Sequence, residues 1–233
     1  PPSLVAIALF LAFWQVVSLQ FDATTFPGLG QLADNIVVVV TSEDQFAFLD
    51  NVLPTLVRIA MGFLISMVIG TVLGISMGLY TAVEDYATAP VMAIMTFPAV
   101  VWAFMGILWF GITQYVVHVL VITLVVAPYV TVNIWKGSES VDQELVEMAA
   151  SFDAGRLEQF LFSSARLAFA LSWKIALVAE VFGATEGVGY VISYYFQTLR
   201  SDMIIAWAVP VMLLMFGVER LFKRLEDRSF AWR

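Results

Sequence analysis

Six apolar stretches, spread along nearly the whole chain, are the feature that most limits how this sequence can fold. They cover residues 4–21, 52–80, 89–110, 114–135, 165–184 and 203–222. A helix needs about 20 apolar residues to cross the hydrocarbon core of a bilayer, so each stretch is about long enough. Of the 233 residues, 61% are hydrophobic and 13% are charged, a balance that a water-soluble domain could not bury. The sequence therefore predicts an all-α polytopic membrane protein with about six transmembrane helices. It would form a single domain over 1–233, in which 1–50 hold the first span and an outer loop and 51–233 form the core.

The distribution of Lys and Arg predicts which side each loop faces, because cytoplasmic loops carry an excess of both. Loop 136–164 and the C-terminal tail carry most of these residues outside the spans, whereas loop 22–51 has five acidic residues and no basic one. We therefore expect both termini, loop 136–164 and the acidic turn 81–88 on the cytoplasmic side, and loop 22–51 outside. Within that outer loop, residues 29–40 are apolar enough to lie on the membrane surface but too short to cross.

The second apolar stretch carries a row of small residues at intervals of four. A step of four residues drifts by only about 40° around a helix, so such a row forms a slowly winding groove. Small side chains let a second helix backbone approach closely, which favours helix association inside a membrane. The sequence therefore predicts a helix-packing face made of Gly62, Ser66, Gly70, Gly74 and Gly78.

The chain lacks the motifs of the common enzyme classes. It contains no cysteine, no G-x-x-x-x-G-K-[ST] phosphate loop, no G-x-S-x-G and no H-E-x-x-H. Its single histidine, His118, has no second ligand at helical spacing; we interpret it as a packed histidine with satisfied hydrogen bonds, with a proton relay as the alternative. The Lys and Arg residues are scattered apart from one C-terminal cluster, which argues against nucleic-acid binding. We expect a non-catalytic chain that binds no metal and no cofactor of its own.

Three charged residues lie inside or near the predicted spans, where a charge is costly and is a candidate for function. Arg58 lies about two turns into the second span and has either a transport role or a side chain that snorkels to the interface. Lys174 and Glu180 are six residues apart, about 240° around one helix, so they cannot pair with each other. Each therefore needs another helix, a water-lined cavity or a helix end, and Glu180 could equally mark the membrane edge.

The predicted cytoplasmic loop contains E-M-A-A-S-F-D-A, which resembles the EAA loop of ABC importer permeases, E-A-A-x-x-x-G-A. Three of the family's letters are in place, at Glu147, Ala149 and Ala154. Met148 stands where the second letter is Ala, and Asp153 stands where the family has Gly.

Three further segments resemble the family in its order and spacing. Residues 56–63 are similar to S-L-x-R-x-x-x-G-F, and residues 97–111 to I-P-x-x-A-W-x-P-L-x-x-L-W-F-G. Residues 173–192 are similar to A-W-x-x-x-x-x-A-E-x-x-G-A-x-x-G-L-G-Y-L-I, which marks the nitrate/sulfonate/taurine branch. One departure is clear: the family holds L-P-x-x-x-P before the fifth span, whereas here 160–166 runs straight through, about ten residues or three helical turns shorter. If this deletion is real, it lies beside the coupling element.

The resemblance implies a type I ABC importer permease fold in the plasma (inner) membrane of a prokaryote. It also implies the partners: a second copy of this chain, two ATPase subunits that carry the ATP and Mg²⁺, and a substrate-binding protein outside. The favoured cargo is a small anion such as a sulfonate, taurine, nitrate or bicarbonate. The residues expected to couple to the ATPases, on a short projecting helix at 143–154, are Glu144, Glu147, Met148, Ala149, Asp153, Ala154 and Gly155.

Candidate pathway residues follow from the same resemblance and are Trp102, Trp173, Lys174 and Glu180. Lys174 could attract an anion, or equally form an ion pair between helices. The alternative function is an ion-coupled secondary transporter that works without ATP. Such proteins often contain inverted repeats, and the sequence shows no internal repeat.

Overall fold

The computed structural model describes the backbone of residues 2–139 and 154–229 and the side chains of residues 3–138 and 161–224. Within these ranges the chain forms helices and no strand, which confirms the all-α prediction. The helices are α1 (Pro2–Ser18), α2 (Leu29–Thr41), α3 (Phe48–Leu79), α4 (Thr81–Thr96), α5 (Ala99–Phe110), α6 (Val116–Glu139), α7 (Ala154–Gly183), α8 (Val188–Gln197) and α9 (Ser201–Ser229).

The described helices offer three to five membrane spans. Three helices, α3, α6 and α9, are long and apolar enough to cross a bilayer by themselves. Two bent pairs, α4 with α5 and α7 with α8, raise the number to five if each pair is one span. The predicted first span, 4–21, is an apolar helix that ends already at Ser18.

The predicted third span is not one straight helix, and the prediction of an acidic turn at 81–88 was wrong. Helix α4 begins at Thr81, so Glu84 lies in its first turn, and the chain then bends by 94° between α4 and α5. The bend falls at Phe97 and Pro98, both in extended conformation. Proline lacks a backbone N–H and disfavours helical geometry in the residue before it, so the break is favoured locally.

Helix α7 extends further towards the N-terminus than the predicted fifth span, 165–184. It begins at Ala154 and continues without a break to Gly183, so part of the predicted loop 136–164 is helical. After a short turn, α8 follows at an angle of 50° to the membrane part of α7.

The centre of the fold is the contact between α3 and α6, along the row of small residues. A Cβ atom added to Gly62 would lie 2.5 Å from Ile122 Cγ2, and one added to Gly70 would lie 2.5 Å from Val130 Cβ. One added to Gly74 would lie 2.7 Å from a backbone oxygen of α6. Ser66 is buried and donates a hydrogen bond to the Gly62 carbonyl, and a Cβ atom at Gly78 would overlap Ser138. The row therefore sets how closely the two helices approach.

Four hydrophobic clusters hold the described helices together, and two of them pack α7, α2 and α9. One lies among α3, α6 and α7, around Ile59, Ile122 and Ala168. The other packs α2 against the start of α9, through Val39 and Trp207. On its other side α3 exposes a long apolar stripe that suits contact with lipid; it includes Leu64, Val68 and Val72.

Candidate functional site

A buried ion pair joins α3 to α7. Arg58 Nη1 lies 2.7 Å from Glu180 Oε1, and both side chains are 0% exposed. The two residues are far apart in sequence and belong to different helices. Arg58 therefore does not snorkel to the interface, and Glu180 does not mark a solvated membrane edge; each is the partner that the other needs.

The other donors of Arg58 bind the two turns next to it. Its Nε donates to the Gln114 carbonyl at 2.7 Å, and Nη1 also donates to the Glu186 carbonyl at 3.0 Å. Nη2 lies 3.3 Å from the Glu186 carboxylate, which also accepts a hydrogen bond of 2.8 Å from the Gln114 side chain. One guanidinium thus connects α3 to the turn before α6 and to the turn between α7 and α8.

The second carboxylate oxygen of Glu180 accepts a hydrogen bond from a backbone N–H at the start of α8. Oε2 accepts hydrogen bonds of 2.9 Å from the Gly189 N–H and from the Thr55 hydroxyl. The Thr55 hydroxyl in turn accepts from the Val188 N–H at 2.9 Å, and Asn51 Oδ1 accepts from the Gly187 N–H at 3.2 Å. The first N–H groups of a helix have no partner inside it and carry a partial positive charge, so a carboxylate is favourable there.

A glycine at position 187 is required by this arrangement. Its φ angle is +108°, in a region that other residues rarely adopt. A Cβ atom there would lie 2.6 Å from Arg58 Nη1 and 2.8 Å from Glu180 Oε2. We use the name clasp for the cluster of Asn51, Thr55, Arg58, Glu180 and Glu186. Its atoms are occupied by one another, so the clasp suits holding helix ends together rather than reacting with a substrate.

Sequence reasoning found the two central charges of the clasp but missed their polar neighbours. A signal was present on α3, since Asn51, Thr55 and Arg58 are spaced by about one turn and share one face. Glu186 and Gln114 lie in turns, where no periodicity points to a partner.

The remaining pathway candidates lie in different surroundings. Trp173 is half-buried and packs against two of the hydrophobic clusters, whereas Lys174, the next residue, is exposed. Trp102 is half-buried on α5, with its ring 4.7 Å from that of Phe97. Its indole N–H has no hydrogen-bond partner in the described part of the chain.

His118 is fully buried, but the prediction of satisfied hydrogen bonds was wrong. Neither ring nitrogen has a partner among the described residues. His118 lies in the first turn of α6, about one turn after Gln114, so it is near the clasp but not part of it. The described residues also hold no group of three metal-ligating side chains.

Most of the expected coupling residues, from Glu144 to Asp153, lie outside the described residues. Ala154 and Gly155 form the first residues of α7, where only the backbone is described. The coupling role of all seven residues stays a prediction.

Comparison with known proteins identifies the family. The sequence pattern of the family described as "Binding-protein-dependent transport system inner membrane component" matches residues 66–230. Among curated relatives, the taurine transport system permease protein of Escherichia coli is 23% identical over 96% of this chain and 86% of its own length. The nitrate import permease protein of a Synechocystis strain is 23% identical over 98% of this chain and 86% of its own. The formylaminopyrimidine transport permease protein of Halalkalibacterium halodurans is 25% identical over 85% of this chain and 83% of its own length.

The family match covers more than half of the chain, and the relatives align over most of it. Residues 66–230 contain α6, α9, both bent helix pairs and the EAA-like segment. The chain therefore belongs to the binding-protein-dependent transport system inner membrane components, the permeases of ABC importers.

Proposed function

We propose that this permease imports a small anion, driven by ATP that separate ATPase subunits hydrolyse on the cytoplasmic side. The solute would arrive from a binding protein outside and pass between two copies of the chain, with both termini of each copy in the cytoplasm. The names of two relatives support a solute with an anionic group, since nitrate is an anion and taurine is a zwitterion that carries a sulfonate. The relative named for formylaminopyrimidine shows that the family also contains permeases for other solutes.

The observation that carries the proposal is the continuity of α7. This helix has 30 residues, so it is about 45 Å long. It begins at Ala154, where the predicted coupling helix 143–154 ends, and near its other end Glu180 binds Arg58 of α3. A continuous helix moves as a rigid body, so a displacement at the coupling segment reaches the clasp about 40 Å away.

The mechanism needs two packings of the same helices, one open to each side. Closure of the ATPases would push the segment that precedes Ala154 and tilt α7 together with α3, to which the clasp joins it. The 94° bend at Phe97 and Pro98 supplies a joint at which α4 and α5 can turn without breaking a helix. In this scheme Glu180 positions the helix ends, while Trp102, Trp173 and Lys174 are the candidates that contact the solute or its path.

The test is uptake by the complete transporter, reconstituted in liposomes with its ATPase subunits and binding protein. We expect ATP-dependent uptake of taurine or nitrate by the unaltered chain. Glu147→Arg reverses a charge in the predicted coupling helix, so it should reduce ATPase binding and uptake while membrane insertion stays normal. Glu43→Arg, in the acidic loop on the opposite side in the predicted orientation, is the matched control and should leave both unchanged.

Two results would contradict the proposal. Uptake driven by a proton gradient without ATP would favour an ion-coupled carrier. Normal ATP-driven uptake by Glu147→Arg would remove the coupling role of this segment.

A further inference from the structure

Lys174 is an exposed positive charge on the part of α7 that could belong to a membrane span. Leu161–Gly183 and α8 could together form one bent span, and Lys174 lies nine residues, about 14 Å, from the bend at Gly183. A charged side chain inside a membrane span is costly wherever hydrocarbon surrounds it. Lys174 therefore needs a polar environment within the membrane.

No described residue supplies a counter-charge. Lys174 takes part in no ion pair with any described carboxylate. The nearest acid along α7, Glu180, is already bound to Arg58 and buried. The ion pair between helices that the sequence left open is thus not formed within the described part of this chain.

The surroundings of Lys174 form an open face rather than a packed one. Six residues on the same face of α7 are exposed or half-exposed. Four of them are small or apolar, and the other two are a serine and an arginine. The six are Ser163, Arg166, Leu167, Ala170, Val178 and Phe182. The face is bordered by α5, through the ring contact of Phe104 with Phe182. It is also bordered by α9, whose Glu219 lines a groove of about 370 Å³ with Leu167 and Ala170. Lipid against this face would surround an ammonium ion with hydrocarbon, which is strongly unfavourable.

We propose that Lys174 contacts the transported anion: its ammonium group lines a water-filled path along this face of α7 and gives that path its preference for negative charge. The inference rests on the proposed function and assigns its anion preference to one side chain. In a pair of copies, two such ammonium groups would border the same path. A fixed positive charge in a partly dehydrated path attracts anions and repels cations.

The first experiment tests whether the position is wet, and it uses the absence of cysteine from the chain. In the complete transporter in liposomes, Lys174→Cys should react with a water-soluble methanethiosulfonate reagent. Val68→Cys, on the exposed apolar stripe of α3, is the control and should stay unlabelled because it faces lipid. An unlabelled Lys174→Cys would place this side chain in lipid or in a dry contact and overturn the proposal.

The second experiment tests the charge. Val178→Cys lies one turn from Lys174 on the same face, about 6 Å away between Cβ atoms. We expect the ratio of its reaction rates with an anionic and a cationic methanethiosulfonate to fall about tenfold when Lys174→Gln is added. An unchanged ratio would show that Lys174 does not set the potential of the path.

The third experiment separates this inference from the proposed function. Lys174→Gln should raise the KM for ATP-driven taurine or nitrate uptake about tenfold, and Lys174→Arg, which keeps the charge, should restore most of it. If the unaltered transporter imports either solute with ATP and Lys174→Gln is equally good, the role of Lys174 is refuted and the proposed function stands. If the unaltered transporter imports neither solute while both labelling results hold, the proposed cargo fails and the wet, positive path remains.

Discussion

Removing the negative charge from the clasp should strongly destabilise the permease. Glu180→Gln keeps the size of the side chain but leaves the Arg58 guanidinium in a site that is 0% exposed. If its amide oxygen accepts from the Gly189 N–H and the Thr55 hydroxyl, as Glu180 Oε2 does, its NH2 group faces Arg58 Nη1, donor against donor. Breaking a buried ion pair by removing one partner costs about 3–5 kcal/mol.

The contact of Arg58 with Glu186 remains in Glu180→Gln, so we expect a loss of stability at the lower end of that range. The Glu186 carboxylate stays 3.3 Å from Arg58 Nη2, but it is 36% exposed and therefore weaker as a partner. We expect a loss of about 3 kcal/mol in the free energy of unfolding. For a chain of this size that corresponds to a melting temperature lower by about 6–12 °C. The assay is thermal unfolding of the detergent-solubilised permease, followed by the fluorescence of its seven tryptophans.

A double-mutant cycle tests the physical reason. Arg58→Met removes the stranded charge, so in combination with Glu180→Gln it should recover at least about 2 kcal/mol relative to the sum of the single losses. Glu43→Gln, an exposed acid in the loop before α3, is the control and should change stability by less than about 0.5 kcal/mol. Strictly additive losses from the two clasp variants would refute the ion pair as the source of the stability.

Three further variants test the packing. Gly70→Leu should prevent a folded, monodisperse permease in size-exclusion chromatography, because even its Cβ would lie 2.5 Å from Val130 Cβ. Gly217→Leu is the control, since a Cβ at Gly217 meets open space. Equal behaviour of the two variants would contradict the packing role. Gly187→Ala should lower the melting temperature more than Gly111→Ala, since both have positive φ but only Gly187 faces the clasp; equal losses would mean that only backbone strain matters. His118→Leu removes two buried nitrogens that have no partner among the described residues. It should therefore raise the free energy of unfolding by about 1–3 kcal/mol, measured by the same thermal assay. A lower free energy of unfolding would show that the ring has a polar partner.

Local properties of the chain were readable without the structure. Apolar length predicted helices in a membrane, and the interval of four predicted a row of small residues on one face of α3, the face that α6 now covers. The EAA-like segment and its flanks pointed to the permease family, which the family match confirms. Pro98 also favours the break between α4 and α5 locally, but Pro90 and Pro128 lie inside helices, and hydropathy hid the break because the residues on both sides are apolar.

Pairing between distant residues was decided only by the tertiary structure. The sequence placed Arg58 and Glu180 in or near spans and indicated that Glu180 needed a partner, yet no linear pattern states which helix ends meet. The polar turns that complete the clasp have no periodicity. The same holds for Lys174. The sequence showed its charge and its place in an apolar stretch, but only the structure showed that its side chain is exposed and that Glu180 is bound to Arg58 instead. Periodicity is a property of one helix, but the neighbours of a buried charge depend on how all the helices pack.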